Sequence, residues 1–259
     1  MGKYHFLVLG EEPRQKYLTA MLRRQGHVVM EAEDYLPGYH DAVLLPVPQT
    51  AKYLETIADK LQKGQTVYGC NFPVELRKDG EEKGIRFVDY MKVEGVASRN
   101  AVATAEGAIA EALQLGCVSI QDSRVLVLGY GTCGAVLADK LMAWKAKVTV
   151  AERKESKRER ARTYGCQAIS FEDLPAYIGQ FDIIMNTVPA LVLTAQQLSK
   201  VKGESIIIDI ASKPGGVDFE YCRKKNISAK LCLGLPGKYA PMSAAGILME
   251  VIIKTILGD

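Results

Sequence analysis

Short apolar, β-branched runs alternate with amphipathic stretches from one end of this chain to the other. That alternation restricts the fold more tightly than any other feature. A run without polar interruption must be covered on both faces, and strands joined through helices pair in parallel. In the first part, strands are read at Tyr4–Gly10, His27–Glu31, Asp41–Val47, Thr66–Cys70 and Ile85–Asp89, with helices over Arg14–Gln25 and Ala51–Lys63. The tracts EEP, LPGYHD and RKDGEEKG are read as turns. Ala101–Leu115 (AVATAEGAIAEALQL) then predicts a long Ala-rich helix stopped by Gly116, with Ser98, Asn100 and Thr104 as candidate caps. A second series follows: strands at Arg124–Leu128, Lys147–Ala151, Ala168–Ser170, Asp182–Thr187, Ser205–Ile210 and Ala229–Leu233. Helices are read over Gly134–Lys145, Lys154–Tyr164, Glu172–Ile178, Ala195–Lys200 and, apolar enough to dock, Ala240–Leu257.

Composition narrows the function classes. The 259 residues are 48% hydrophobic and 24% charged, which suits a globular protein rather than a disordered one. Lys+Arg is 33 against Asp+Glu 30, so a net charge of +3 gives no electrostatic reason to expect nucleic acid. No apolar run reaches the roughly 18 residues of a membrane span, and MGKYHFLVLGEEPRQ turns charged too early for a leader, so a cytoplasmic protein is expected. Cys70, Cys117, Cys133, Cys166, Cys222 and Cys232 form no CxxC pair and have no neighbouring histidine. They are expected to be reduced thiols, and no metal site is expected. The histidines are His5, His27 and His40, all early in the chain.

The strongest local motif is VLVLGYGTCGAVLADKL, Val125–Leu141, with Gly129, Gly131 and Gly134 in GxGxxG spacing between an apolar strand and a helix. Gly129 allows a tight turn, Gly131 lets backbone approach a pyrophosphate, and Gly134 lets helix and sheet pack closely. The diphosphate then rests on the helix N-terminus, where unpaired N–H groups favour an anion. Tyr130, Thr132 and Cys133 complete the loop. At the end of the next strand, Glu152 occupies the position that favours NAD, yet Arg153 and Lys154 follow it and suit the 2′-phosphate of NADP. NADP is the preferred reading, with NAD the alternative. Asn186, Thr187, Val188 and Pro189 end one strand, and Asp209, Ile210 and Ala211 another, at the carboxyl edge where such sheets bind ligands.

The expected class is therefore α/β, two doubly wound open-sheet domains joined by a connector helix, the second a Rossmann dinucleotide-binding domain. The boundaries are residues 1–97, a small domain for substrate or partner; 98–116, the connector; 117–239, the nucleotide domain; and 240–259, a final helix expected to reach back onto the first domain.

SRNAVATAEGAI (Ser98–Ile109), GYGTCG (Gly129–Gly134), DIASKPGGVDF (Asp209–Phe219) and LPGKYAPMSAA (Leu235–Ala245) together resemble the A subunits of dipicolinate synthases, in the same order and over essentially the whole chain. The resemblance implies NADP-dependent oxidation of dihydrodipicolinate to the aromatic pyridine dicarboxylate. It also implies partnership with a flavoprotein-like B subunit, an oligomer, and the mother-cell cytoplasm of a sporulating bacterium.

A dicarboxylate requires cationic partners, because burying its charges unpaired is prohibitive. Lys213 and Lys238, on glycine- and proline-rich loops, are candidates, and Ser98, Arg99, Asn100, Thr104 and Ser243 are further donors near helix starts. Each also has a plain reading, as a solvated lysine or a helix cap. Asp209, Lys213, Lys238 or a water are the candidate proton acceptors, with Lys213 preferred and Asp209 second. A dehydrogenase of the 2-hydroxy-acid type needs a histidine from the nucleotide half, and none follows His40. A shikimate-dehydrogenase-like enzyme and a non-catalytic nucleotide-binding subunit remain as alternatives.

Overall fold

The computed structural model describes residues 2–31, 36–116 and 118–256. The expected α/β class holds, with two parallel sheets. In the first unit the apolar runs become β1 (His5–Val8), β2 (Val28–Glu31), β3 (Ala42–Leu44), β4 (Thr66–Gly69) and β5 (Arg86–Asp89), connected through α1 (Pro13–Arg24), α2 (Thr50–Ile57) and α3 (Val74–Glu82). All pair in parallel in the order β2-β1-β3-β4-β5. Helix α3 corrects the reading of RKDGEEKG as a turn. Gly80 sits mid-helix because it faces the Phe87 ring, where a Cβ would lie 2.5 Å from Cε2. That glycine serves packing, not chain reversal.

Helix α4 (Val96–Leu115) runs on into the second unit. It starts earlier than the sequence suggested, so Ser98 and Asn100 lie within its first turns and Thr104 in its interior. None of the three is a cap. The second unit contains β6 (Arg124–Leu128), α5 (Thr132–Ala143), β7 (Lys147–Ala151), α6 (Glu155–Thr163), β8 (Gln167–Ile169), α7 (Leu174–Tyr177), β9 (Ile183–Asn186), α8 (Ala195–Leu198), β10 (Ile206–Asp209), α9 (Phe219–Lys224) and β11 (Ser228–Leu231). Its order, β11-β10-β9-β6-β7-β8, is that of a doubly wound dinucleotide-binding sheet. Leu126, Leu128, Ile184 and Ile207 lie fully inside, packed with Phe181 and Leu193. Truncating one such leucine to alanine costs about 2–5 kcal/mol.

The chain then returns through α10 (Leu235–Tyr239) and α11 (Pro241–Ile256). Residues from Pro236 onward group with the first unit: α11 packs on α1, and Ala245, Leu248 and Ile252 share a core with Phe6, Leu18 and Leu22. Leu257, included in the expected helix, lies outside the described residues. Cys70, Cys133, Cys166, Cys222 and Cys232 are unbridged, and Cys117 lies outside the described residues. No helix among the described residues is long and apolar enough to cross a membrane.

Candidate functional site

Register brings the functional residues of the second unit into one row. Leu128 stands opposite Ala151 on one side and Asn186 on the other, and Asn186 stands opposite Asp209. The strand order reverses between β6 and β9, which opens a crevice above their carboxyl ends. A cleft of about 590 Å³ lies there, lined by Gly129, Gly131, Glu152, Arg153, Thr187 and Val188 among others.

Each glycine of the motif answers a different constraint. Gly129 has φ +88°, and a Cβ on it would lie 2.7 Å from Thr187 Oγ1. Thr187 in turn donates to the Leu128 carbonyl at 2.8 Å, closing the loop onto the strand. Gly134 faces the Gly129 carbonyl, and any side chain would run into it. Gly131 is the contrast. Its φ of −84° is open to every residue, and a Cβ would meet nothing within 4 Å. The fold does not need a glycine there, and the space beside it is open. Immediately beyond it α5 begins, and the first-turn amides have no carbonyl to bond within the helix. Cys133 is half-buried, and burial pushes its thiol up, away from the reactive thiolate.

Glu152 is only 7% exposed. One carboxylate oxygen accepts from the Tyr130 amide at 2.9 Å, the other from the Lys154 amide at 3.1 Å. Burial pulls this carboxyl up, but those amides and the Lys157 ammonium, 3.6 Å away, outweigh it and hold the group below its ordinary range. The acid therefore ties the glycine loop to the start of α6. Arg153 and Lys157 stand beside it on the cleft wall. The Lys154 amide bonds Glu152, and Arg158 is turned away, donating to the Glu152 and Arg153 carbonyls.

The opposite wall is set by a buried pair. Asp209 is 0% exposed and accepts from Asn186 Nδ2 (2.8 Å), the Ala211 amide (2.9 Å) and the Gly216 amide (2.7 Å). Asn186 also bonds both the amide and the carbonyl of Val188 at 3.0 Å. Gly216 fits between the two loops, where a Cβ would lie 2.5 Å from Asn186 Nδ2. Asp209 was expected among the proton acceptors. Both of its oxygens instead hold the turns that follow β9 and β10, and no face is open to a ligand. Ile210 and Ala211 follow within that anchored turn, and Pro189 reaches the cleft.

The remaining expected residues fall in different settings. Lys213 is exposed on the loop after β10. Lys238 is in helix α10, not on a loop, with its ammonium 4.9 Å from the Tyr239 ring centre. Arg99 is ion-paired with Glu250, Asn100 is buried beside Met91, and Ser98 and Ser243 are exposed within the first turns of α4 and α11. Lys157, Phe171, Leu174 and Val192 line the cleft and were not read from the sequence. A basic residue one helical turn beyond Arg153 is a usable signal for Lys157. The apolar three offer none without the sheet order.

The profile of the shikimate/quinate 5-dehydrogenase family matches residues 111–228, which covers this site. Over 171 residues the chain is 34% identical to the dipicolinate synthase A subunit of Bacillus subtilis, covering 66% of this chain and 58% of that protein. The chain is similar to the A subunit of dipicolinate synthase. The crystal structure of that subunit from Bacillus halodurans superposes with a TM-score of 0.87 at 28% identity, over 98% of this chain and 99% of that one. Its counterpart from Bacillus subtilis gives 0.86 at 26% identity, over 100% and 97%. The resemblance carried by the four sequence motifs thus extends along the whole fold. The aligned sequence spans less than three fifths of the curated relative, although the folds match almost end to end. These likenesses imply a nicotinamide dinucleotide as cofactor. The open face of Gly131, the bare amides of α5 and the basic residues by Glu152 fit one.

Proposed function

We propose that this chain is the nucleotide-binding oxidoreductase subunit of a dipicolinate synthase, oxidising dihydrodipicolinate to dipicolinate with NADP⁺, in company with a B subunit in the mother-cell cytoplasm. The observation that carries the cofactor choice is the state of Glu152. Its two oxygens are spent on the Tyr130 and Lys154 amides, while Arg153 and Lys157 remain on the cleft wall. Arg153 and Lys157 then pair with the 2′-phosphate, and their charge offsets the repulsion from the fixed carboxylate.

When bound, the nicotinamide supplies a hydride acceptor. The chain's own residues do the rest. The α5 amides and Gly131 hold the diphosphate, while Thr187 and Val188 wall the crevice. The Asn186–Asp209 pair keeps both following loops fixed, so orientation is settled before substrate arrives. Lys213 is the residue assigned either to a substrate carboxylate, as its ammonium, or to the proton lost as the ring becomes aromatic, as the free amine. Aromatisation provides much of the driving force, so the protein needs position and charge more than a strong base.

The deciding experiment gives the purified chain, with and without a B subunit, NADP⁺ or NAD⁺ and freshly made dihydrodipicolinate, following absorbance of the reduced nicotinamide. Turnover with NADP⁺ supports the reading. Nucleotide binding without turnover under every condition identifies a non-catalytic subunit, and turnover of a shikimate-like hydroxy acid instead identifies a related dehydrogenase. No binding of any pyridine nucleotide ends the proposal.

A further inference from the structure

The first unit has its own carboxyl edge, and its chemistry is unspent. Its strand order also reverses, between β1 and β3, but that crevice is filled. Gln15 Nε2 bridges the Leu9 and Leu44 carbonyls at 2.8 and 3.0 Å, and Pro46 packs over Gly10. A second nucleotide has no room there. Beside it, Arg14 in the first turn of α1 is only 3% exposed. Its one hydrogen bond among the described residues runs from Nε to Glu12, which leaves the Nη donors of the guanidinium without partners. The Nη atoms are not among the fully buried unpartnered atoms, so these donors are open to whatever reaches them.

Two more orphans share its surroundings. The hydroxyl of Tyr90, just past β5 and 0% exposed, has no hydrogen-bond partner among the described residues, and neither does the buried Glu12 Oε2. Arg14's charge acts on the Tyr90 hydroxyl and on the Cys70 thiol, which follows β4. The Gly237 backbone lies directly against the Glu12–Arg14 pair, where a Cβ would clash. Open donors on a cation, an unpaired hydroxyl and an unpaired carboxylate oxygen together are complementary to a small acid. It has a carboxylate for the guanidinium and hydroxyl, and a donor beside it for Glu12.

We infer that Glu12, Arg14 and Tyr90 form a binding site for a small acid that carries an N–H or O–H donor next to its carboxylate. This rests on the reading of the chain as an oxidoreductase of a ring dicarboxylate, whose ring nitrogen adjoins both carboxylates. The Arg14 fork takes the carboxylate in two parallel bonds, the Tyr90 hydroxyl donates a third, and Glu12 Oε2 accepts from the neighbouring N–H.

The test uses calorimetry on the full chain with two probes. Piperidine-2-carboxylate has the adjacent N–H; cyclohexanecarboxylate lacks it. The wild type binds the first at least tenfold tighter. Tyr90→Phe removes a hydroxyl the fold does not use, so its melting temperature does not fall while its affinity for both probes drops about three- to tenfold. A purely structural role predicts the reverse. Because Arg14→Gln alone strands Glu12, the charge-neutral double variant Glu12→Gln/Arg14→Gln is used; it loses at least tenfold and no longer distinguishes the probes. Affinities within twofold of wild type in both variants overturn the site, as does a wild type that binds neither probe. NADPH is titrated on the same samples. Carboxylate binding that depends on these residues, without nucleotide binding, would defeat the dehydrogenase reading and leave this site standing.

Discussion

Replacing Gly131 by alanine separates what the fold requires from what the ligand requires. A Cβ at this position meets nothing within 4 Å, and the backbone (φ −84°, ψ −164°) is extended and open to any residue. Alanine also restricts the unfolded chain, so stability changes by no more than about 1 kcal/mol, in either direction. For a protein of this size that moves the melting temperature by about 2–4 °C at most. Binding is another matter. The methyl group occupies the space a diphosphate must enter, and pushing the anion back from two amides loses about 1.5–3 kcal/mol for each charge-assisted bond. A total of about 3–6 kcal/mol is a hundredfold to ten-thousandfold loss of affinity. Valine, being bulkier, abolishes binding. Gly134→Ala is the control, because its Cβ runs into the Gly129 carbonyl and damages fold and binding together. Fluorescence titration with NADPH beside thermal melting reads both quantities. A Gly131→Ala protein that melts normally and binds normally refutes the placement of the diphosphate.

Four further outcomes are expected. Arg153→Ala weakens NADPH about ten- to a hundredfold and NADH only slightly; equal losses would remove the basis for preferring NADP. Lys213→Ala raises KM for the dicarboxylate, and lowers kcat as well if its amine takes the proton, whereas unchanged kinetics exclude it from the site. Glu152 has a carboxyl held below its ordinary range in the folded state, so it stabilises above the unfolded value of about pH 4 and loses that contribution as pH falls through the folded value. Glu152→Gln should flatten this acid limb of a stability–pH curve, and an unaltered limb would contradict the amide bonding. Asn186→Ala and Asp209→Ala should each destabilise strongly in urea but combine with much less than the sum of their effects; simple addition would mean the pair does not act as a unit.

The fold was legible because parallel sheets write themselves in the sequence. Burial on both faces demands runs such as RVLVL and IIID, and the amphipathic stretches between them fix the winding. The errors came where one residue type serves two ends. Gly80 looked like a turn because glycine permits one, but its contact with Phe87 depends on how α3 packs against the strand that follows it, β5. Ser98 and Asn100 looked like caps because both can bond an N-terminal amide, yet α4 already begins at Val96. Local chemistry was read correctly in each case; which of its uses applied was decided by where the elements begin and how they pack.

The candidate site divides along the same line. Gly129, Gly131 and Gly134 could be assigned separate duties because the duties follow from one strand, one turn and one helix that are contiguous in sequence. Asn186 and Asp209 could not, because their roles exist only across the sheet. Each reads as a polar residue at the end of an apolar strand, a natural place for a catalytic group. Only the register that sets Asn186 opposite Asp209 turns them inward on each other and on Gly216. Burial then changes the meaning of the charge. A carboxylate that must be paired to be tolerated inside a protein finds its donors in loop amides, and so becomes the fixture of those loops. Glu152 repeats the arrangement on the other wall with the Tyr130 and Lys154 amides. Both acids that sequence reasoning offered to the ligand are thus spent on holding backbone, which leaves the cations, the helix amides and the bare Gly131 to face it. That division suits a site whose ligands are themselves anions.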